Sequence, residues 1–137
     1  MNVADIPLLS MLRSRLGYLT ERQKVVAQNV ANTDTPGYAP RDLKPFSFHL
    51  QGSGPAASGG VAPARTASGH LAGQTKQASP FRSVKSIDSE TTLDGNSVVL
   101  EDQMLKMTEA RMNYDAAIGF YQKSMNLLRM AARPPGK

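Results

Sequence analysis

The chain has 137 residues, of which 40% are hydrophobic, with a formal net charge of +5 and no cysteine. This length allows at most one ordinary domain, and the lack of cysteine excludes disulfides and thiolate metal sites. No apolar run reaches the roughly 20 residues that span a bilayer. Because Arg13 and Arg15 interrupt the first apolar segment, no cleavable secretory signal is expected. The basic charge is compatible with an acidic partner but does not identify one.

The first predicted element is a helix from about Asp5 to Asn32, with Asp5 as its N-cap and Pro7 in its first turn. Apolar residues recur in it at steps of three and four, which is the spacing of one helix face. This stripe, interrupted only by Gln23, consists of Leu9, Leu12, Leu16, Leu19, Val26 and Val30. A neighbouring row holds Leu8, Met11, Tyr18 and Val25.

The helix is expected to end before Pro36, because a proline restricts the residue before it to extended geometry. Pro36 and Gly37 suit the two central positions of a type II turn, in which Gly37 takes a positive φ. Two interpretations of residues 32–38 remain open. In one, they only terminate the helix. In the other, side chains such as Asn29 and Tyr38 also take part in recognition of another subunit.

The middle of the chain is predicted to be irregular. One short strand is allowed within Arg41–Leu50, and Phe81, Val84 and Ile87 indicate a short ordered return segment. Between them, twenty-two of the thirty residues from 51 to 80 are Gly, Ala, Ser, Pro or Thr. Such a segment buries too little apolar surface to offset the entropy lost on ordering it, so it is interpreted as a flexible basic loop.

The second predicted helix covers residues 96–133. Asp94 and Gly95 form the turn before it, and Asn96 or Ser97 is its expected N-cap. An apolar stripe with heptad spacing predicts lengthwise packing against other helices. The stripe, which only Arg111 breaks, consists of Leu100, Met104, Met107, Tyr114, Ile118, Tyr121, Met125, Leu128 and Ala132. A second row holds Val99, Ala110, Ala117, Phe120, Leu127 and Ala131.

Together the two helices predict a mainly α fold. They are expected to pack as an antiparallel, coiled-coil-like hairpin, with an irregular Gly/Ala/Ser-rich middle that can hold short strands. The expected segments are an N-terminal helix and turn motif (1–38), a flexible basic middle (39–94) and a C-terminal helix (95–137). Two helices cover only one stripe each, so the second rows would form a long exposed patch. Assembly with further subunits is therefore expected.

No catalytic, cofactor-binding or metal-binding residues are predicted. His49 and His70 lie in low-complexity sequence, and no residues have the spacing of a nucleophile with its base or of a phosphate-binding loop. The chain is therefore not expected to be an enzyme. Two other classes stay open: a soluble helical adaptor or secretion chaperone, which would form a discrete oligomer in dilute solution, and a basic nucleic-acid binder.

Two segments resemble bacterial flagellar rod and axial proteins. Residues 27–38, AQNVANTDTPGY, are similar to that family's N-x-A-N-x-x-T-P-G-Y signature. Residues 95–104, GNSVVLEDQM, are similar to its G-N-x-V-x-L-x-x-x-M entry to the last helix. The short length, the early Leu-rich helix and the pair Arg41-Asp42 make the resemblance closest to the proximal rod proteins. The resemblance covers both ends of the chain, about half of its length.

This resemblance implies a structural subunit of the basal-body rod, the hollow drive shaft that transmits motor torque, serves as an export channel and is needed for flagellum-dependent motility. It implies a periplasm-spanning location and export as a type III substrate without a cleaved signal peptide. It also implies no cofactor, no nucleic acid and no transmembrane segment. The expected partners are the rod subunits FlgC, FlgF and FlgG, together with FliE, the MS-ring protein FliF at the base, and the flagellar type III export apparatus.

The residues expected to contact other subunits lie on the two stripes and in the turn between them. They are Leu9, Leu12, Leu16, Leu19, Val26, Asn29, Asn32, Thr35, Pro36, Gly37, Tyr38, Leu100, Met104, Met107, Tyr114, Ile118, Tyr121, Met125 and Leu128.

Overall fold

Two long helices and two short strands make up the described part of the chain. The structure is a computed structural model that describes residues 6–48 and 79–132. In chain order, the elements are helix α1 (Pro7–Ala31), strand β1 (Arg41–Leu43), strand β2 (Ser83–Lys85) and helix α2 (Leu100–Ala131).

The helices α1 and α2 pack against each other as an antiparallel hairpin. Near the end of α1, Asn29 contacts Gln103 in the first turn of α2. In the middle of α1, Tyr18 shares a hydrophobic cluster with Ala117, farther along α2. Positions on α2 therefore rise as positions on α1 fall, which confirms the predicted mainly α hairpin.

A broad face of α1 is buried. Leu9, Leu19 and Val26 of the predicted stripe are only 2%, 1% and 0% exposed. Tyr18 and Val25, from the neighbouring row, are buried as well, whereas Leu8, the first member of that row, is 50% exposed. The opposite side of α1 carries exposed polar and small residues, among them Arg13, Gly17, Thr20, Lys24 and Gln28.

A line of residues seven positions apart is the part of α2 that lies deepest against the rest of the chain. Gln103, Ala110 and Ala117 are 0%, 0% and 6% exposed, and the small alanine side chains allow the helix axes to approach closely. The predicted stripe lies beside this line. Its first members, Leu100 and Met104, are 45% and 58% exposed, and most of its later members are half-buried. Gln103 lies one position before Met104, outside the register of the predicted stripe.

A small sheet holds the two ends of the middle segment together. β1 and β2 pair antiparallel, with Asp42 opposite Val84. Next to this sheet, the rings of Phe46 and Phe81 lie 5.4 and 5.5 Å from the ring of Tyr18, measured between centroids. The short strand expected within Arg41–Leu50 and the return segment around Val84 are therefore confirmed.

The ends of α1 lie close to the predicted positions. Its N-cap is Ile6 and Pro7 occupies the first turn, whereas Asp5, the expected cap, lies outside the described residues. The helix ends at Ala31 with Asn32 as its C-cap, which agrees with the predicted stop.

The start of α2 differs from the prediction. Its N-cap is Val99, and no side chain caps it, so the expectation that Asn96 or Ser97 is the N-cap is wrong. The physical reason is that the Asn96 amide is engaged at the end of α1, while the Asp88 carboxylate accepts the backbone N–H of Val99 at 3.0 Å.

Several predictions concern residues that the structure does not describe. The flexible basic loop over residues 51–80 falls almost wholly on them, as do His49 and His70. The three-segment division of the chain stays a prediction for the same reason. Within residues 6–48 and 79–132, no helix is long and apolar enough to cross a membrane.

The close approach of the helices at Ala110 can be tested by substitution. Ala110→Leu adds three carbon atoms at a point with 0% exposure, so the helices must move apart. We expect a loss of about 1–3 kcal/mol in the free energy of unfolding, measured by urea denaturation followed by circular dichroism. The control is Ala116→Leu, at an exposed position on the same helix, where a change below about 0.5 kcal/mol is expected. Equal losses in the two variants would contradict this packing.

Candidate functional site: the corner where the two turn motifs meet

At the closed end of the hairpin, residues 32–40 and 86–99 fold together into one unit, which we call the corner. Two tight turns form its centre. In the first, the Tyr38 N–H donates to the Thr35 carbonyl at 3.2 Å, and Gly37 has a φ of 70°, as the predicted type II turn requires. In the second, the Gly95 N–H donates to the Thr92 carbonyl at 2.9 Å, and Gly95 has a φ of 83°.

These two turns pack directly against each other. The Gly37 N–H donates to the Asp94 carbonyl at 3.0 Å, and the Ser97 N–H donates to the Tyr38 carbonyl at 3.0 Å. A Cβ atom on Gly95 would lie 3.5 Å from the Gly37 Cα, so the backbones are in van der Waals contact. The two sequence motifs, more than fifty residues apart, therefore form one site.

The side chain of Asn96 joins this site to the end of α1. Its Nδ2 lies 3.0, 2.7 and 2.7 Å from the carbonyl oxygens of Asn32, Thr33 and Thr35. These carbonyls belong to the C-cap of α1 and to the turn that follows it. The carbonyls of the last helical turn have other donors, because the Asn32 amide donates to Gln28 and the Thr33 hydroxyl to Val30. Asn96 is 2% exposed, so its amide takes the place of water for the turn after α1.

The remaining polar atoms of Asn96 hold the second turn in shape. Its Oδ1 accepts the Val98 N–H at 2.8 Å, and its own N–H donates to the Asp94 carboxylate at 3.1 Å. Its carbonyl accepts the Thr92 N–H at 2.8 Å. One residue thus fixes the second turn and binds the turn that follows α1.

A second buried amide, that of Asn29, ties α1 to the chain that leaves the corner. Its Nδ2 donates to the Arg41 carbonyl at 2.7 Å and to the Gln103 Oε1 at 2.9 Å. Its Oδ1 accepts the Arg41 N–H at 3.0 Å and the Tyr38 hydroxyl at 3.2 Å. All four hydrogen-bonding positions of the amide are used, which the 0% exposure of Asn29 requires.

The network continues from Gln103 to a buried ion pair. The Gln103 Nε2 donates to the Asp88 carboxylate at 2.7 Å, which the Lys106 ammonium also contacts at 2.7 Å. The Asp88 side chain is 1% exposed and that of Lys106 is 23% exposed. Burial by itself raises the pKa of Asp88. The hydrogen bonds from Lys106, Val99 N–H and Gln103 outweigh that effect, so the pKa lies below its ordinary value.

A further ion pair, outside the corner, links three elements of the hairpin. The Arg22 guanidinium contacts both carboxylate oxygens of Asp42, at 3.1 and 3.2 Å, and Glu109 on α2 at 3.5 Å. The two contacts to Asp42 fix β1 against α1 in a bidentate geometry. Arg22 therefore connects α1, β1 and α2.

The residues predicted to contact other subunits fall into three groups in the single chain. Leu9, Leu19 and Val26 are buried in the hairpin itself, and Leu12 is 8% exposed. In the turn, the Asn29 side chain is hydrogen-bonded within the chain. Asn32 and Tyr38 are half-buried, whereas Thr35, Pro36 and Gly37 are exposed.

On α2, the predicted contact residues are exposed or half-buried. Leu100 and Met104 are exposed, and the half-buried ones are Met107, Tyr114, Ile118, Tyr121, Met125 and Leu128. Leu16 on α1 is also half-buried.

Outside the α1 contact line, α2 carries large apolar residues that are exposed. We call this set the outer stripe. Its spacing of seven, eight, seven and three residues keeps it on one helix face. It consists of Leu105 (70% exposed), Met112 (67%), Phe120 (62%), Leu127 (54%) and Met130 (61%).

The polar groups of the corner hold its backbone in place. Its buried amides and its buried carboxylate all have hydrogen-bond partners, and no buried side-chain nitrogen or oxygen among the described residues lacks one. Within residues 6–48 and 79–132, no group of three or more His, Cys, Asp or Glu side chains could hold a metal ion. The arrangement fixes the backbone rather than presenting a reactive group.

Sequence reasoning missed three residues of this site: Asn96 as the residue that binds the turn after α1, Asp88 and Gln103. A signal for Gln103 exists, because it is a polar residue one position before an apolar heptad member and seven before Ala110. For Asn96 the signal is its position directly after a turn glycine, but the same position also predicts an N-cap. No local pattern marks Asp88, whose partners are eleven to eighteen residues away.

The fold and the corner together define a class of protein: a helical hairpin whose N-terminal and C-terminal segments form one braced unit. Residues 9–38 match the family described as "Flagella basal body rod protein". The N-terminal part of the chain is therefore similar to flagellar basal body rod proteins.

Similar proteins cover most of the chain. "Flagellar basal body rod protein FlgB" of Agrobacterium fabrum is 29% identical over 134 residues, 96% of this chain and 97% of that protein. The FlgB proteins of Salmonella typhimurium and Escherichia coli are each 28% identical. They cover 80% and 88% of this chain, and 81% and 92% of their own lengths. The predicted resemblance to proximal rod proteins, and to FlgB among them, is confirmed.

The role of Asn96 predicts an asymmetry between two substitutions. Asn96→Ala removes this donor, and we expect it to cost about 1–3 kcal/mol because the carbonyl groups of the turn after α1 lose a partner. Asn96→Asp keeps the shape but directs a carboxylate oxygen at those carbonyl oxygens, so its cost should be larger. Urea unfolding measures both free energies.

The matched control for the second substitution is Asn126→Asp, at an exposed position of α2. It makes the same chemical change and should alter the free energy of unfolding by less than about 0.5 kcal/mol. If Asn96→Asp proved as mild as this control, the capping role would be refuted.

The lowered pKa of Asp88 predicts a dependence of stability on pH. Because its carboxyl group binds a proton less readily in the folded chain than in the unfolded chain, its contribution is complete above about pH 4 and is lost as the pH falls below that value. Asp88→Asn should lower the free energy of unfolding by about 2 kcal/mol at pH 7 and by much less at pH 3. Urea midpoints at the two pH values measure this. Asp34→Asn, at an exposed position of the corner, should change neither midpoint.

Proposed function

We propose that this chain is a structural subunit of the flagellar basal body rod, the hollow shaft that transmits motor torque and through which exported proteins pass. The observation that carries this proposal is the outer stripe of α2. Five large apolar side chains, each at least 54% exposed, extend over 26 residues of one helix, or about 39 Å at 1.5 Å per residue. A rod subunit would bury them against its neighbours.

The energetic argument follows from area. A large apolar side chain contributes about 1.5–3 kcal/mol when it is fully buried. Each of the five side chains of the outer stripe is at least half exposed, so its burial by a neighbour contributes about 1 kcal/mol to association. These contributions are absent in a monomer. An open helical tube needs contacts between different surfaces of successive subunits, and α2 offers such a surface because its other face is already occupied by α1.

The proposed neighbours are other basal body components. Within the rod these are FlgC, FlgF and FlgG, and at the base FliE and the MS-ring protein FliF, with the flagellar type III export apparatus delivering the subunit. The family is a structural component of the flagellum, and the proposed role requires positioned surfaces instead of a reactive centre.

The predicted interface residues fit this proposal unequally. The buried members on α1, such as Leu9 and Leu19, act by holding the hairpin together. The exposed positions Thr35, Pro36, Leu100 and Met104 are available to neighbours. We propose that the outer stripe adds to these exposed members as a lateral contact surface.

The outer stripe can be tested in cells. Met112→Glu with Phe120→Glu places two charges in the proposed contact, and we expect loss of swimming and loss of the subunit from isolated basal bodies. The helicity of the purified variant should equal that of the parent chain, because both positions are exposed in the monomer. The control, Gln122→Glu, puts a charge on an exposed polar position of the same helix, and its cells should swim normally. Normal swimming of cells that carry the double variant would contradict the proposal.

The alternative class, a soluble helical adaptor or secretion chaperone, is separated by a different measurement. It predicts a discrete, stable oligomer of the purified chain in dilute solution, whereas a rod subunit is expected to be ordered fully only with its neighbours. Sedimentation velocity combined with amide exchange distinguishes them. A small, defined oligomer with protected amides throughout both helices would favour the adaptor.

A further inference from the structure

One edge of strand β2 has no partner in the part of the chain that the structure describes. In an antiparallel pair, hydrogen-bonded positions alternate with positions whose N–H and C=O groups point outward. The Lys44 N–H donates to the Arg82 carbonyl at 3.0 Å, so with the observed register the outward positions on β2 are Ser83 and Lys85. No backbone hydrogen bond joins either of them to another described residue.

The outer edge of β1, by contrast, is covered. The Asn29 amide of α1 donates to the Arg41 carbonyl at 2.7 Å and accepts the Arg41 N–H at 3.0 Å. The Leu43 N–H donates to the Asp42 carboxylate at 2.7 Å. Because α1 lies on this side of the sheet, the outer edge of β2 points away from α1. An edge strand without cover is a place where another chain can pair.

Four exposed bases flank the outer edge of β2. Arg41 lies opposite Lys85, and Lys44 lies opposite Arg82, with all four residues exposed. Like charges directly opposite each other on two strands are destabilising. The two basic pairs are three residues apart, or about 10 Å at 3.3 Å per residue. An anionic ligand that reaches both pairs would remove this repulsion.

The acids closest to these bases in the chain are already engaged. Arg22 contacts both carboxylate oxygens of Asp42, at 3.1 and 3.2 Å, and Lys106 contacts the Asp88 carboxylate at 2.7 Å. The next acid along the chain, Glu90, is exposed and forms no ion pair with a base in the described ranges. None of the four bases at the edge forms an ion pair with a described acid either. Their charges are available to another molecule.

We propose that the outer edge of β2 binds an extended acidic segment of a partner protein, which adds to the sheet as a third strand. The outward N–H and C=O groups of Ser83 and Lys85 match a ligand that has a peptide backbone of its own. The bases then select among peptides, because basic side chains disfavour pairing with other edges and attract opposite charges across the strands. To reach both basic pairs, the segment needs at least about four residues. This site does not include the outer stripe, so it goes beyond the proposed function.

A synthetic peptide serves as the probe. It consists of alternating Glu and Thr, about seven residues in all, with both ends blocked. Fluorescence anisotropy at about 50 mM salt, where charges are weakly screened, should show saturable binding to the full chain. The same peptide with every backbone amide N-methylated keeps its charge but has no N–H to donate, so it should bind at least about tenfold more weakly. A peptide with Gln in place of Glu should also bind at least about tenfold more weakly.

Variants of the chain test the same contact from the other side. Ser83→Pro removes an outward N–H and keeps the hydrogen bonds of β2 to β1, so peptide binding should fall at least about fivefold, whereas Ser83→Ala should bind as the parent does. Arg82→Glu with Lys85→Glu should weaken binding at least about tenfold. The matched control, Lys123→Glu with Arg129→Glu, makes the same charge change at exposed positions of α2 and should bind within about threefold of the parent.

Circular dichroism identifies any variant that fails to fold, and the three peptides on the parent chain then decide alone. Equal binding of the methylated and unmethylated peptides would mean that the bases recognise any anion, and it would overturn the proposal. The same conclusion would follow if the parent chain showed no saturable binding up to about 1 mM peptide, or if the edge pair and its control lost equally. Swimming of the outer-stripe variant tests the proposed function separately, and none of these results bears on it.

Discussion

The hydrogen bonds from one asparagine amide decide how this chain closes. The end of α1 is satisfied locally, because Asn32 and Thr33 donate to the carbonyls of the last helical turn. The turn that follows is covered by the return of the chain, and its carbonyls need protein donors. Asn96, up to 64 residues away in sequence, supplies them. This amide therefore holds the two turns together, and Gly37 and Gly95 lie next to each other as a result. A side chain on either glycine would have to tolerate a positive φ, which favours glycine at both positions.

The buried polar network also explains how two apolar helices find a single register. Apolar stripes that repeat every seven residues bury similar areas when one helix slides by a heptad. The hydrogen bond of Asn29 with Gln103, and that of Gln103 with Asp88, are satisfied in only one alignment. A slipped hairpin would leave a buried amide and a buried carboxylate without partners, at a cost of about 1–3 kcal/mol for each group. The apolar residues thus supply the attraction, and these polar groups select the alignment.

The different roles of the apolar and the polar residues also explain which features could be predicted from the sequence. The period of the apolar residues predicted two helices and their antiparallel packing, and Pro36 and Gly37 predicted the end of α1 within a residue and the turn type. The corner could not be predicted in this way. Its bonds join residues that are distant in the chain, and a local pattern assigned Asn96 to the nearest helix as an N-cap. Gln103 was missed because a search for apolar spacing excludes the polar residue that lies deepest in α2. The resemblance brought the two motifs together as a family signature, but it did not reveal that they touch.

The two helices differ in how much of their apolar surface is buried within the hairpin. On α1 most apolar residues face the hairpin, although Leu8 is 50% exposed. On α2 a contact line of Gln103, Ala110 and Ala117 is buried, while five large apolar residues outside it are at least 54% exposed. This asymmetry means that a neighbour gains far more by covering α2 than by covering α1, so lateral contacts have a preferred side.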